Sequence, residues 1–174
     1  ALINAYLVPG ANVVVDKAPR PLSGQSDMSF GNKPVDGGNL LLTRDEVAAL
    51  ELNPVEHGRF IRRIYGSAEF IRGLELYCLW IKDAHLDEAL EVAAIAQRVK
   101  GVRAMRMASP KGATKELANT PHKFGEVRQT GDETVIVVPI HTSETRPYLP
   151  IGLLHKGDVI NNANLALYDA PLWN

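Results

Sequence analysis

Only one cysteine occurs in the chain, Cys78 in "LYCLWI". No intrachain disulfide can form, and a single thiolate cannot build a zinc ribbon. The expectation is a buried thiol on a strand of a cytoplasmic protein. No apolar run approaches the roughly 20 residues that span a bilayer. The first residues lack the basic region and long apolar stretch of a secretory signal, so no membrane partner is expected. The histidines, His57, His85, His122, His141 and His155, include no pair at i, i+4 spacing, and no metal site is expected. Internal repeats and low-complexity tracts are absent as well.

Several catalytic signatures are also missing. "MSFGNKPVDGGNLLL", residues 28–42, has the glycines and lysine of a phosphate cradle but not their spacing. Lys33 is followed by Pro34, which removes an amide that a Walker loop needs. Gly31, Gly37 and Gly38 do not make a dinucleotide fingerprint. The stretch reads as a tight irregular loop in which Gly and Asn accept positive φ. No G-x-S-x-G elbow exists. Ser143 lies near His141 and Glu144, but neighbours on a strand alternate faces and rarely form a triad. "NPVE" at Asn53 lacks the second proline and the aromatic of an Asn-Pro-Pro-aromatic methyltransferase motif. No catalytic residue is expected in this chain.

What is present fits one α+β domain of about 170 residues, with a mixed, largely antiparallel sheet and a few helices. "LINAYLV" and "NVVVD" read as strands around Pro9-Gly10. Thr43 and Glu46 form a capping box, with a Leu42–Val47 staple, for a helix over 44–52 that stops at Asn53-Pro54. "RFIRRIYGSAEFIRG" fits strand and helix equally. "LELYCLWIKD" reads as a central strand. "LDEALEVAAIAQRVKGV" reads as the longest helix, with acids first and bases last. Ser109-Pro110 can start a short helix that "KELAN" continues. "ETVIVVPI", "RPYLPIGLL" and "LALYDAPL" read as strands, with the turn-rich "HKGDVINNAN" between the last two. The chain begins on an apolar stretch without Met and ends on "APLWN", and it reads as a piece of a longer chain.

Charge is distributed unevenly. Residues 83–96 carry four acids and no Lys or Arg. Residues 97–128 carry Arg98, Lys100, Arg103, Arg106, Lys111, Lys115, Lys123 and Arg128 against Glu116 and Glu126 alone. Such a stretch is either a solvated surface or a footprint for a polyanion. Ser109 and Thr114 interleave with Lys111, Lys115, Lys123 and Arg128, a mixture that suits phosphate oxygens. Arg103 and Arg106 would share a helix face and can fork onto guanine. In "SETR", Ser143 precedes Glu144, an acceptor for cytosine's amino group, and Arg146, a donor fork. Glu144 and Arg146 could equally pair with each other.

Taken in order, "INAYLV", "MSFGNKPVDGGNLLL", "FIRRIYGSAEFIRG", "YCLWIKDA", "VRAMRMAS", "LANTPHKFGE", "VIVVPIHTSETRPYLPIGLL" and "NANLALYDAPLW" resemble the target recognition domain of MmeI-like DNA methyltransferases, a group of type II restriction–modification proteins. The resemblance covers nearly the whole chain. It implies sequence-specific recognition of double-stranded DNA beside an adenine methyltransferase module of the same parent chain, with or without a fused nuclease. It also implies S-adenosylmethionine as cofactor of that parent and none in these residues. The glycine-containing segment 29–38 would be a signature loop of the recognition domain. Stretches 103–128 and 141–148 are the expected DNA face. Two other classes remain: a protein-interaction module that docks a methyltransferase without touching DNA, and, ranked lower, a small hydrolase around Ser143 and Glu144.

Overall fold

The computed structural model describes residues 3–14, 16–18 and 26–170. Its best-marked local signal is the Thr43 capping box. The Thr43 hydroxyl accepts from the Glu46 amide at 3.3 Å, and the Glu46 carboxylate accepts from the Thr43 amide at 2.8 Å. Helix α1 (Arg44–Ala48) starts there, after strands β1 (Ser29–Phe30) and β2 (Leu41–Leu42). It stops earlier than the expected helix because Glu51 turns the backbone to φ 50°. Asn53 then opens a second helix rather than ending the first. Its side chain accepts from Val55 and Glu56, Pro54 takes the first helical position, and α2 runs Pro54–Phe60.

The ambiguous basic stretch divides between three elements: the end of α2, strand β3 (Ile61–Tyr65) and helix α3 (Ser67–Arg72), closed by left-handed Gly73 at φ 68°. Strand β4 (Tyr77–Leu79) follows, with Cys78 fully buried. That burial pushes the thiol pKa far up, so it stays protonated. The expected long helix is two helices, α4 (Leu86–Glu91) and α5 (Ala93–Met107), because Val92 adopts an extended conformation at ψ 105°. Helix α6 (Gly112–Glu116) begins after Ser109-Pro110 rather than at it, and a 3₁₀ turn at Leu117–Asn119 continues it. The two N-terminal strands do not form among the described residues. Ile3 and Pro9 make an isolated bridge, and Ile3, Leu7, Val13 and Val14 stay exposed.

The α+β class holds, with two four-stranded sheets instead of one. The first has the order β2-β4-β3-β7, where β7 (Val159–Ile160) lies parallel to β3 and the other pairs are antiparallel. The second is antiparallel throughout, in the order β1-β8-β5-β6, with β5 at Val135–Pro139, β6 at Gly152–Leu154 and β8 at Asn164–Tyr168. β4 is central, as its aromatic apolar sequence suggests. β7 was hidden in a segment that reads as turn. Leu40, Phe60, Ile64, Leu79, Ile95 and Val102 lie in the main core; Val135, Val137, Leu154, Ile160 and Ala166 form the second. The sheets meet at Gly31, whose amide donates to Asn164 O at 3.1 Å. A Cβ there would stand 2.3 Å from the Asn161 carbonyl oxygen, so only glycine fits. No helix among the described residues is long and apolar enough to cross a membrane.

Candidate nucleic-acid interface

The signature loop is filled by its own protein. Gly37 and Gly38 take the positive φ expected of them, 61° and 82°. The Asp36 carboxylate accepts from the Leu40 amide at 2.6 Å and the Leu41 amide at 3.3 Å. A carboxylate on those amides leaves no cradle for an anion. Asn32, fully buried, donates to Gln129 and to the Ile160 carbonyl at 2.8 Å each and accepts from the Arg128 amide at 2.7 Å. Lys33 and Glu126 pair backbone to backbone, and Gly125 donates to Pro34 O at 2.9 Å. The loop is therefore stitched along 125–129, at the end of the basic stretch. S-adenosylmethionine does not fit this turn either, since the Asp36 carboxylate already occupies its amides.

Arg106 corrects the expected DNA face. It is 0% exposed and stands inside the domain. Its guanidinium donates to five carbonyls: Val35 at 2.9 Å, Leu117 at 2.8 Å, Thr120 at 3.0 Å, Pro34 at 3.1 Å and Lys123 at 2.7 Å. Those five bonds use all five N–H donors of the group. Burial lowers its pKa, and the nearby Asp36 opposes that shift. Arg106 thus pins the end of α5 to the signature loop and to the turns after α6. It also holds the carbonyl of Val35, a β-branched residue at φ 49°. The signal was available in the sequence. Ile95, Val99, Val102 and Arg106 are all buried on α5 at i, i+4, i+7 and i+11 spacing, so the arginine continues the apolar stripe. Arg103, three residues earlier, falls on the solvent side.

The other expected contacts divide into occupied and open groups. Lys123 is bound to Asp83 at 2.5 Å, and His122, almost wholly buried, meets the same carboxylate at 2.8 Å. Hydrogen bonds from Lys123 first, then His122, hold the Asp83 pKa below the usual carboxylate value. Arg128 pairs with Glu126 at 3.0 Å. Ser109 accepts from the Lys111 amide at 3.2 Å, a local turn. Thr114 is half-buried. Arg103, Lys111 and Lys115 are exposed and make no ion pair among the described residues.

Between β5 and β6 the chain leaves the sheet as a loop of which 140–145, 147–149 and 151 are exposed. Ser143 and Thr145 bond each other through their hydroxyls at 2.7 Å, and the Arg146 amide donates to Ser143 O at 3.1 Å. These bonds curl 143–146 into a tight turn. Glu144 is exposed and Arg146 half-exposed, and no ion pair joins them. Both charged tips are thus available to an outside partner. A cavity of about 460 Å³ elsewhere is walled by Trp80, Asp83, His122, Phe124 and Val127, remote in sequence from Ser143 and Glu144.

Residues 9–174 match the family described as MmeI, target recognition domain. The chain belongs to the MmeI target recognition domain family. It is 34% identical over 171 residues to DNA methyltransferase A of Bacillus subtilis (strain 168), an alignment covering 98% of this chain and 19% of that protein. The solved structure of the type IIL restriction-modification enzyme MmeI in complex with DNA superposes with a TM-score of 0.81 at 32% identity, covering 97% of this chain and 22% of the other. This MmeI-type domain therefore spans about a fifth of the length of either relative.

Proposed function

We propose that this chain reads the target sequence of double-stranded DNA on behalf of a larger restriction–modification adenine methyltransferase acting in the cytoplasm. The observation that carries the reading is the Glu144–Arg146 tip, unpaired among the described residues and held by its own turn on a loop clear of both cores. Arg146 offers a planar donor fork for guanine O6 and N7, and Glu144 an acceptor for the amino group of cytosine. Arg103, Lys111 and Lys115 neutralise phosphates and release counterions, giving salt-sensitive, sequence-blind affinity. Lys123, Arg128 and Ser109 serve phosphates only by exchanging or sharing their present partners, Ser143 shapes the turn, and Thr114 stands beside the open lysines.

In the parent protein the bound duplex is held while an adenine leaves the stack for the methyltransferase pocket. S-adenosylmethionine supplies the methyl group there, outside these residues. The test is methylation of a randomised duplex library by the full-length protein carrying Arg146→Ala or Glu144→Ala. The expected result is loss of preference at a defined base pair with methylation retained at relaxed sites. An unchanged preference in both variants overturns the direct readout.

A further inference from the structure

The second sheet is apolar on both sides. Val135, Val137, Leu154 and Ala166 point into its core, where Phe70 of α3 also packs. The register places Ile136 opposite Leu153 and Leu167, Val138 opposite Leu165, and Leu165 opposite Phe30. Directly opposed residues share a face. Phe30, Ile136, Val138, Leu153, Leu165 and Leu167 therefore line the outer side across all four strands. Phe30 is 58% and Leu153 43% exposed, and the other four are half-buried.

An antiparallel sheet with one wet face alternates apolar and polar residues, whereas uninterrupted apolar strands are those covered on both faces. "VIVV" and "LAL" are of the second kind, yet among the described residues this face is only partly covered, with Phe30 and Leu153 exposed at its two edges. A contiguous apolar patch of this kind marks an interaction surface. DNA is not its occupant, because none of the six side chains carries a charge or a hydrogen-bonding group. The relatives point to the occupant: most of their length, beyond the 19% and 22% that align, is further protein of the same chain.

We propose that the outer face of the β1-β8-β5-β6 sheet is the surface on which another module of the same polypeptide docks. This rests on the reading above, that the chain works inside a longer methyltransferase. The loop bearing Glu144 and Arg146 joins β5 to β6, so a module seated on this face is fixed beside the base-reading tip. Docking there couples recognition to the position of the remaining protein without a contact between the loop and that module.

Thiol accessibility in the full-length protein tests this. Leu153→Cys and Phe30→Cys lie on the two edge strands at exposed positions, so neither disturbs a core, and the buried Cys78 does not compete. Ser143→Cys in the reading loop is the open reference. Without DNA, maleimide labelling read by peptide mass spectrometry is expected to be at least about tenfold slower at positions 153 and 30 than at 143. Equal rates overturn the proposal. Shielding that vanishes on dilution assigns the face to a second copy, and shielding that appears only with duplex assigns it to DNA; either also overturns it. Target duplex should separately shield position 143. If it does not, while 153 and 30 remain shielded, the DNA reading fails and the docking surface stands.

Discussion

Stretches 103–128 and 141–148 were both expected to face DNA, and the structure builds them in opposite ways. The first is braced. Arg106 lies in its interior, Asn32 and Gln129 stitch its end to the signature loop, and Lys123 and Arg128 are tied to carboxylates. The second is held by its own short turn, and its two charged tips have no partner among the described residues. Charge count alone favours the braced region; availability of charge favours the loop. A surface that must hold any DNA needs fixed cations at the right spacing. A surface that selects one sequence needs a few directional groups free to bond bases.

The contrast can be broken most sharply at Arg106. Arg106→Ala leaves five carbonyls without their donor, and is expected to destabilise the domain by at least about 3 kcal/mol. Urea denaturation checks this, and a change within about 0.5 kcal/mol would mean that the brace is dispensable. Next comes Arg146→Ala, expected to leave the urea midpoint unmoved and to cost about 1–3 kcal/mol of discrimination at one base pair. Competition binding with single-substituted duplexes by the full-length protein measures it. Lys111→Ala with Lys115→Ala should weaken all duplexes alike. The slope of log affinity against log salt should fall by about 0.9 per lysine, with no change in preference. A retained slope removes both from the phosphate surface.

The smallest effect concerns Asp83. Its folded pKa is depressed by Lys123 and His122, so its contribution is present above the ordinary carboxylate value of 3.8 and is lost as pH falls through the depressed one. Asp83→Asn should flatten the acid limb of a thermal-midpoint profile as pH falls from the ordinary carboxylate value through the depressed one. A limb of unchanged steepness would show that the Asp83 pairs contribute nothing to acid stability.

Local chemistry was legible where a few neighbouring residues decide the outcome. The Thr43 box, the positive-φ glycines of the signature loop, the buried Cys78 and the central β4 were all readable. Tertiary partners were not. The stretch 3–14 has strand composition but makes only the isolated Ile3–Pro9 bridge among the described residues, and strand propensity without a ladder forms no sheet. β7 has two residues within a turn-rich segment and exists because β3 lies beside it. At the interface, sequence proximity placed Arg103 and Arg106 on one face, although a step of three residues turns a helix by about 60° from alignment. That step is enough to separate solvent from core. Counting Arg106 within the stripe of Ile95, Val99 and Val102 would have found it.

Every acceptor that Arg106 holds is a main-chain oxygen, belonging to residues 34, 35, 117, 120 and 123. The staple is thus indifferent to side-chain identity along the segments it gathers. Descendants of this chain could change the outward groups on those segments freely, one at a time, without loosening the fastening beneath. Drift toward a new target site then calls for no compensating repair inside.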